Sequence, residues 1–360
     1  MIYKLILSIR HLFYDRGWKK SVEAEVPTFC IGNIAVGGTG KTPHVEYLLR
    51  FLLKTGWAYK NIAVLSRGYK RKSRGFQKVP IRDASARIYG DEPVQIAGKF
   101  PAVTVAVDKN RVRGCHILCH PEQAPKKCID KDFPAADVII LDDAFQYRKI
   151  IPSLSTVLID CNRPLHEDHL LPWGRLRDLP SRIGKADVVI VTKCPEWLDD
   201  WSRRVWKENL KLREDQRLFF TTIKYGAPLP VFPEGDSHYI YSQRLVLVTG
   251  IADDAPLRNY LSDTYKIVER LGFRDHHRFS RGDIHKISSA IREFPTACLM
   301  TTEKDAQRLR DIPPARVPEA IRKRLFYIPV DAAFLSAEEE AEYMSIILSK
   351  INGGYSETLF

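Results

Sequence analysis

Residues 29–31, an apolar Phe-Cys-Ile run, lead into Ala35-Val36-Gly37-Gly38-Thr39-Gly40-Lys41-Thr42 and then into a helical stretch at 43–53. A strand, a glycine-rich turn and a helix in that order leave few architectures open. The glycines let successive backbone N–H groups converge on one point and let an anion approach closely. The helix that follows adds the positive end of its dipole, and Pro43 suits a first helical position because no N–H is needed there. In such a loop Lys41 reaches the β- and γ-phosphates of a nucleoside triphosphate, and the Thr42 hydroxyl ligates Mg²⁺. The first loop position is Ala35 where glycine is usual, so Gly37 and Gly38 supply the flexibility.

The short run at 29–31 is one of a series, with 62–65, 138–141, 157–159 and 188–191. Runs this apolar are covered on both faces, and the helical stretches between them predict a parallel sheet sandwiched by helices, an α/β fold of the P-loop NTPase type. The charged segment 207–217 and the Gly/Pro-rich segment 226–235 mark a boundary, beyond which strands at 245–249, 265–268, 297–301 and 325–329 and a helix at 255–262 predict a second, smaller α/β domain. The expected division is 1–22, 23–215 and 216–360. With 360 residues, 44% of them hydrophobic, the chain can bury two cores.

The formal net charge is +12, which points to an anionic partner. At the N-terminus Ile2, Leu5, Ile6, Ile9, Leu12 and Phe13 follow helical spacing on one face, with Lys4, Arg10, Arg16, Lys19 and Lys20 around them. The uncharged run at 5–9 is too short to span a bilayer, so residues 1–22 are read as an amphipathic helix lying on an anionic membrane surface. The chain has seven cysteines, irregularly spaced, which argues against a disulfide framework and for a reducing compartment. Cys115-His116-x-x-Cys119-His120 has the residue types of metal ligands, but no second cluster with zinc spacing follows, and these are read as ordinary helix or loop residues.

Further motifs complete a site. At 138–143 a buried strand ends in Asp142-Asp143, placed to orient the Mg²⁺ shell from the sheet's C-terminal edge. Gly90-Asp91-Glu92-Pro93 sets two acids in a tight turn, where a turn-forming Asp and a proton acceptor for a hydroxyl are equally compatible with the spacing. Arg67-Gly-Tyr69-Lys70-Arg71-Lys72 follows a strand and suits phosphate or anionic lipid, or a solvated basic loop. In Phe273-Arg-Asp275-His276-His277, His276 is placed to close over the site with Asp275 fixing its tautomer, or belongs to a surface pair.

These motifs together resemble the tetraacyldisaccharide 4′-kinase family, the lipid A kinases of Gram-negative bacteria. The stretches that carry the resemblance are IGNIAVGGTGKTP (31–43), LSRGYKR (65–71), GDEP (90–93), LDDAFQ (141–146), LLPWGRLRD (170–178), FRDHHRF (273–279) and TTEKDAQRL (301–309). The resemblance implies phosphorylation, by ATP with Mg²⁺, of the 4′-hydroxyl of a tetraacylated diglucosamine 1-phosphate to give lipid IVA, with the lipid held at the cytoplasmic face of the inner membrane; the family's N-terminal segment is often long enough to span the membrane, and the shorter one here is read as a peripheral helix. It implies Lys41 and Thr42 on the phosphates and metal, Asp91 as proton acceptor with His276, and Asp142, Asp143 and Asp178 around the metal. It also implies Arg67, Tyr69, Glu92, Arg111, Gln146 and Arg177 as polar groups lining the substrate side. Ala144 stands where the family often has Gly, and Arg177-Asp178 where it often has Arg-Glu.

Two other classes compete. A P-loop GTPase or metallochaperone switch is suggested by Val191-Thr192-Lys193, but Pro195 replaces the acid of a guanine-reading motif. A nucleic-acid-binding ATPase has only the charge in its favour, since no zinc or RNP-like motif is present. No nucleic acid and no obligate protein partner are expected.

Overall fold

The computed structural model describes residues 2–55 and 60–352; Met1 and 353–360, the outer ends of the first and last expected segments, lie outside them. The larger sheet has nine strands in the order Val330–Phe334, Arg217–Tyr225, Val188–Thr192, Leu154–Asp160, Thr28–Gly32, Val138–Asp142, Ile62–Ser66, Thr104–Val107, Gln77–Lys78. Its two edge strands are antiparallel to their neighbours and the rest run parallel. The strands alternate between two cores. Phe29, Ile31, Ile62 and Val64 face one side with Val45, Leu48, Leu49 and Leu52 of the helix Lys41–Lys54, whereas Cys30, Ala63, Leu65 and Leu141 face the other with Ile117 and Leu118 of the helix Arg111–Cys119. Each fully buried leucine contributes about 1.5–3 kcal/mol. Cover on both faces is why these strands read as unbroken apolar runs.

The smaller sheet has the order Leu229–Pro230, Leu325–Ile328, Cys298–Thr302, Arg244–Thr249, Lys266–Gly272. Its helices are firmly begun. Ser280 and Asp283 form a reciprocal capping box on Arg281–Glu293, and Thr302 caps Glu303–Arg310.

The expected division at 215/216 differs from the sheet pairing. Arg217–Tyr225 pairs with Val188–Thr192, and Val330–Phe334 pairs with Arg217–Tyr225, so the chain leaves the larger sheet, builds the smaller one and returns. The returning helix Ala337–Asn352 buries Tyr343, Ile347 and Ile351 in the larger sheet's core. The Gly/Pro-rich segment 226–235 lies where the chain leaves the larger sheet; nothing comparable stands at the return.

The strand order fixes where the chemistry lies. Thr28–Gly32 sits between Leu154–Asp160 and Val138–Asp142, with Ile31 opposite Asp142 and Gly32 opposite Val157. The loop after Gly32, the acids after Leu141 and Asp160 therefore share one sheet edge.

Candidate active site

The glycine-rich loop is held in shape from several sides. Gly37 and Gly40 have φ of 110° and 83°, the left-handed region that a side chain disfavours. The Thr39 side chain accepts from Asn33 Nδ2 at 2.6 Å, its carbonyl accepts from Thr192 Oγ1 at 3.0 Å, and the Val36 amide donates to the Arg175 carbonyl at 2.8 Å. The helix starts at Lys41 rather than at Pro43, so the proline takes the third helical position. Its missing N–H is still one of the four that no helix turn uses. His44 is buried between the Gly40 carbonyl at 2.7 Å and Thr221 Oγ1 at 3.0 Å. Burial pushes its pKa down to about 4, so it braces the loop as a neutral ring and adds no charge.

Asp142 and Asp143 follow each other but behave oppositely. Asp142 is buried and accepts from Ser66 Oγ at 2.9 Å; burial, Glu92 and Asp143 push its pKa up to about 7. For Asp143 burial acts the same way, but Lys41, at 3.9 Å, and Arg177 outweigh it and hold the carboxyl near 2. Arg177 forks onto both Asp143 oxygens, with Nη1 at 3.0 Å from Oδ2, and its Nη2 also reaches the Asn33 side chain. Gln146 donates to the Asn33 carbonyl. Arg111 is buried beneath Asp143, with Nη2 3.5 Å from its carbonyl oxygen, and its Nε has no partner among the described residues. Lys41, Thr42, Asp142, Asp143, Arg177, Arg111 and Gln146 are thus brought together. Two carboxylates at one strand end, with Asp142 resisting ionisation, and the Thr42 hydroxyl at the start of the helix are hard oxygen donors of the kind a divalent cation takes.

Asp91 opens the helix Asp91–Lys99, after Gly90 with φ 102°. A Cβ on Gly90 would lie 3.2 Å from the Gly68 Cα, and one on Gly68 would meet the Tyr89 carbonyl at 2.7 Å, so these two glycines let the GDEP turn and the basic loop touch. Asp91 Oδ2 takes Arg308 Nε at 3.1 Å and also Nη2, and lies 3.4 Å from His276 Nδ1. Burial alone would raise its pKa, yet His276, Arg308 and Lys304 hold it well below the usual carboxylate range. Oδ1 carries no hydrogen bond among the described residues. Asp91 itself borders a cavity of about 300 Å³ lined also by Tyr69, Lys70, Arg87, His276 and Arg308. Tyr69 lies against the His276 ring, centroids 5.1 Å apart. His276 faces Asp91 with Nδ1, while Asp275 sits 3.8 Å from Nε2, so Asp91 is the closer carboxylate. Arg67 is exposed nearby, and Glu92 pairs with Lys304.

This half of the site joins the two sheets. Arg308 and Lys304 come from the helix Glu303–Arg310; Asp91 and Glu92 come from the larger sheet's side. Lys99 reaches Glu303 at 2.6 Å, and Asp311 accepts from the Ala86 and Arg87 amides at 3.0 and 2.8 Å.

Asp178 has a partner that its place in the sequence does not suggest. Its Oδ1 lies 2.6 Å from His11 Nε2, both side chains being buried, and accepts from the Leu179 amide at 2.9 Å. The geometry therefore engages Asp178 with the N-terminal helix Ile2–Asp15 rather than with Thr42, Asp142 or Asp143. The same helix donates from Tyr3 to the Arg177 carbonyl at 2.9 Å and from Arg10 to the Gln146 carbonyl at 2.7 Å. Its other face leaves Ile2, Leu5, Ile6 and Ile9 between 45% and 75% exposed, and no helix among the described residues is long and apolar enough to cross a membrane.

Lys193 bonds Asp160 at 2.7 Å, which accounts for the residue a guanine-reading motif would have used. Sequence reasoning missed Asn33, Ser66, His11 and Arg308. Asn33, Ser66 and Arg308 lie inside quoted motifs, and His11 is the one histidine of its largely apolar and basic helix, which was the available signal.

The family model for tetraacyldisaccharide-1-P 4′-kinase (LpxK) matches residues 1–352. The tetraacyldisaccharide 4′-kinase of Phocaeicola vulgatus is 39% identical over 345 residues, spanning 94% of this chain and 90% of that protein. That of Flavobacterium johnsoniae is 37% identical over 340 residues, spanning 94% and 92%. The crystal structure of LpxK from Aquifex aeolicus in complex with ATP superposes with a TM-score of 0.69 at 25% identity, covering 97% of this chain and 96% of that one. With the loop, the paired acids and the Asp91–His276 contact in place on this fold, the chain belongs to the tetraacyldisaccharide 4′-kinase family.

Proposed function

We propose that the two halves of the site are the donor and acceptor ends of one phosphoryl transfer, from ATP to the 4′-hydroxyl of a tetraacyldisaccharide 1-phosphate. The observation that carries this reading is the placement of Asp91. Asp91 borders a basic-rimmed cavity, while its neighbour Glu92 acts electrostatically on Asp142 at the phosphate end. Thr42 and Asp142 would hold Mg²⁺, which supplies charge neutralisation on the phosphate oxygens. Lys41 and the loop amides bind the β- and γ-phosphates, and Arg177 keeps Asp143 aimed at Lys41. Asp91 stays ionised at neutral pH and receives the hydroxyl proton through Oδ1. Transfer of a phosphoryl group passes through a loose transition state in most analyses, so a correctly placed weak base suffices. His276 positions Asp91, and Tyr69 positions His276. Lys70 and Arg87 on the cavity rim suit the phosphate of the lipid.

The exposed apolar face of Ile2–Asp15 lies on an anionic membrane surface in this reading, placing the protein at the cytoplasmic face of the inner membrane. Its opposite face is bonded to the active-site wall, so the lipid enters where the helix sits. The direct test supplies ATP, Mg²⁺ and the tetraacyldisaccharide 1-phosphate and scores lipid IVA; no product with ATP while GTP is hydrolysed would favour the switch-protein reading. For the membrane face, Ile6→Glu with Ile9→Glu should move the protein from the vesicle pellet to the supernatant with its fold intact. Unchanged partition on anionic vesicles would remove that role.

A further inference from the structure

The helix Arg111–Cys119 sorts its Cys-His-x-x-Cys-His residues by face. Cys115 is buried in the core and Cys119 packs against it, whereas His116 and His120, four residues apart, turn outward. Both imidazoles converge on Glu25, which lies between the strands Val22–Glu23 and Thr28–Gly32. His116 Nδ1 is 2.9 Å from Glu25 Oε1, His120 Nε2 is 2.6 Å from Oε2, and the rings lie 4.6 Å apart. One donor atom from each of the three residues lies within 4.8 Å of the other two. The outer nitrogens also face acceptors: His116 Nε2 is 2.9 Å from Gln123 Oε1, and His120 Nδ1 is 3.5 Å from Glu122 Oε1.

Each ring therefore has an oxygen at both nitrogens. A neutral imidazole has one N–H and one lone pair, so it satisfies only one of its two oxygens. The arrangement is balanced when a cation stands between the inner nitrogens and the carboxylate, which leaves each outer N–H for its own acceptor. We propose that Glu25, His116 and His120 form a surface binding site for a borderline divalent transition ion of the Zn²⁺ class. Two imidazoles and one carboxylate, with remaining positions open to water, is a donor set that such ions accept. The outer contacts fix the tautomer that leaves the inner nitrogens bare, as is usual around metal-bound histidine. Ligand bonds of about 2.0–2.2 Å require each N···O pair to open by a few tenths of an ångström, and exposed side chains have that freedom. Mg²⁺ and Ca²⁺ prefer oxygen ligands, so this site does not draw on the ion expected at the phosphates. The bound ion would tie the segment before the first sheet strand to the end of the helix.

The test titrates full-length protein with ZnCl₂ by calorimetry in the presence of excess Mg²⁺, and with Co²⁺ while recording its visible absorption. Saturable binding and a ligand-field band are expected for the native chain. His120→Ala and Glu25→Gln should each weaken Zn²⁺ binding about tenfold or more and abolish the cobalt band. His238→Ala, at an exposed His–Asp pair elsewhere, should change neither. Far-UV circular dichroism establishes that each variant is folded. No saturable binding by the native chain, or equal binding by the His120 and Glu25 variants, overturns the proposal.

Discussion

The phosphate end and the acceptor end of the site are built by different rules. The phosphate end comes from one sheet edge: a loop between a strand and its helix, two acids at the end of the neighbouring strand, and an arginine that locks one of them. Its ion pairs are internal to that edge, with Lys41 and Arg177 both on Asp143. The acceptor end has no such local unit. Asp91 comes from one side of the molecule and Arg308 and His276 from the other, and the carboxylate keeps its charge because two elements far apart in sequence meet on it. A local site tolerates changes elsewhere in the molecule, whereas a shared one registers any change in how the two sheets meet.

Substitutions at the two ends should differ in size and kind. Lys41→Ala should cut turnover by about 10³–10⁵-fold, the scale on which a cation at a transferring phosphoryl group acts, with circular dichroism and melting unchanged. Retained turnover would mean that the loop is not the donor end. Asp91→Ala should cost about 10²–10⁴-fold in kcat with ATP affinity preserved; weakened ATP binding with kcat spared would merge the two ends into one. Arg308→Gln should cost about tenfold or more near neutral pH, since it removes a charged hydrogen bond. It should also move the acid limb of the kcat profile to higher pH. The sign follows from Asp91, whose pKa is depressed on folding. Its pairing stabilises the fold above the ordinary carboxylate range and is lost as pH falls through the depressed value, so the variant should lose acid stability as well. The smallest effect on activity is expected from His11→Ala, a few-fold at most. It leaves Asp178 buried without its ring and should lower stability by about 1–3 kcal/mol in denaturant unfolding.

The same contrast governs what could be read from the sequence. The loop at 35–42 and the acids at 142–143 were legible because adjacent residues carry the chemistry and an apolar strand precedes each. The strands at 29–31, 62–65, 138–141 and 245–249 were legible because both their faces are buried. Asp91 could be named but not explained, since its spacing fits a turn equally well and the group that sets its charge lies on the helix Glu303–Arg310. The return of the chain at Val330–Phe334 carried no signal, because a half-buried edge strand lacks the unbroken apolar run of a central one. Asp178 was assigned through the family resemblance of the stretch 170–178. Its bond to His11 depends on how a separate helix docks, which no local pattern encodes.

That docking bears on how an experiment with a shortened chain should be interpreted. Tyr3, Arg10 and His11 hold the Arg177 carbonyl, the Gln146 carbonyl and Asp178 from behind. Trimming the first residues to obtain a better-behaved protein would take away the back support of the residues around Asn33 and Asp143 along with any hold on lipid. A trimmed enzyme that is inactive in detergent would report a loosened donor end, and its inactivity would say nothing about whether catalysis requires a bilayer.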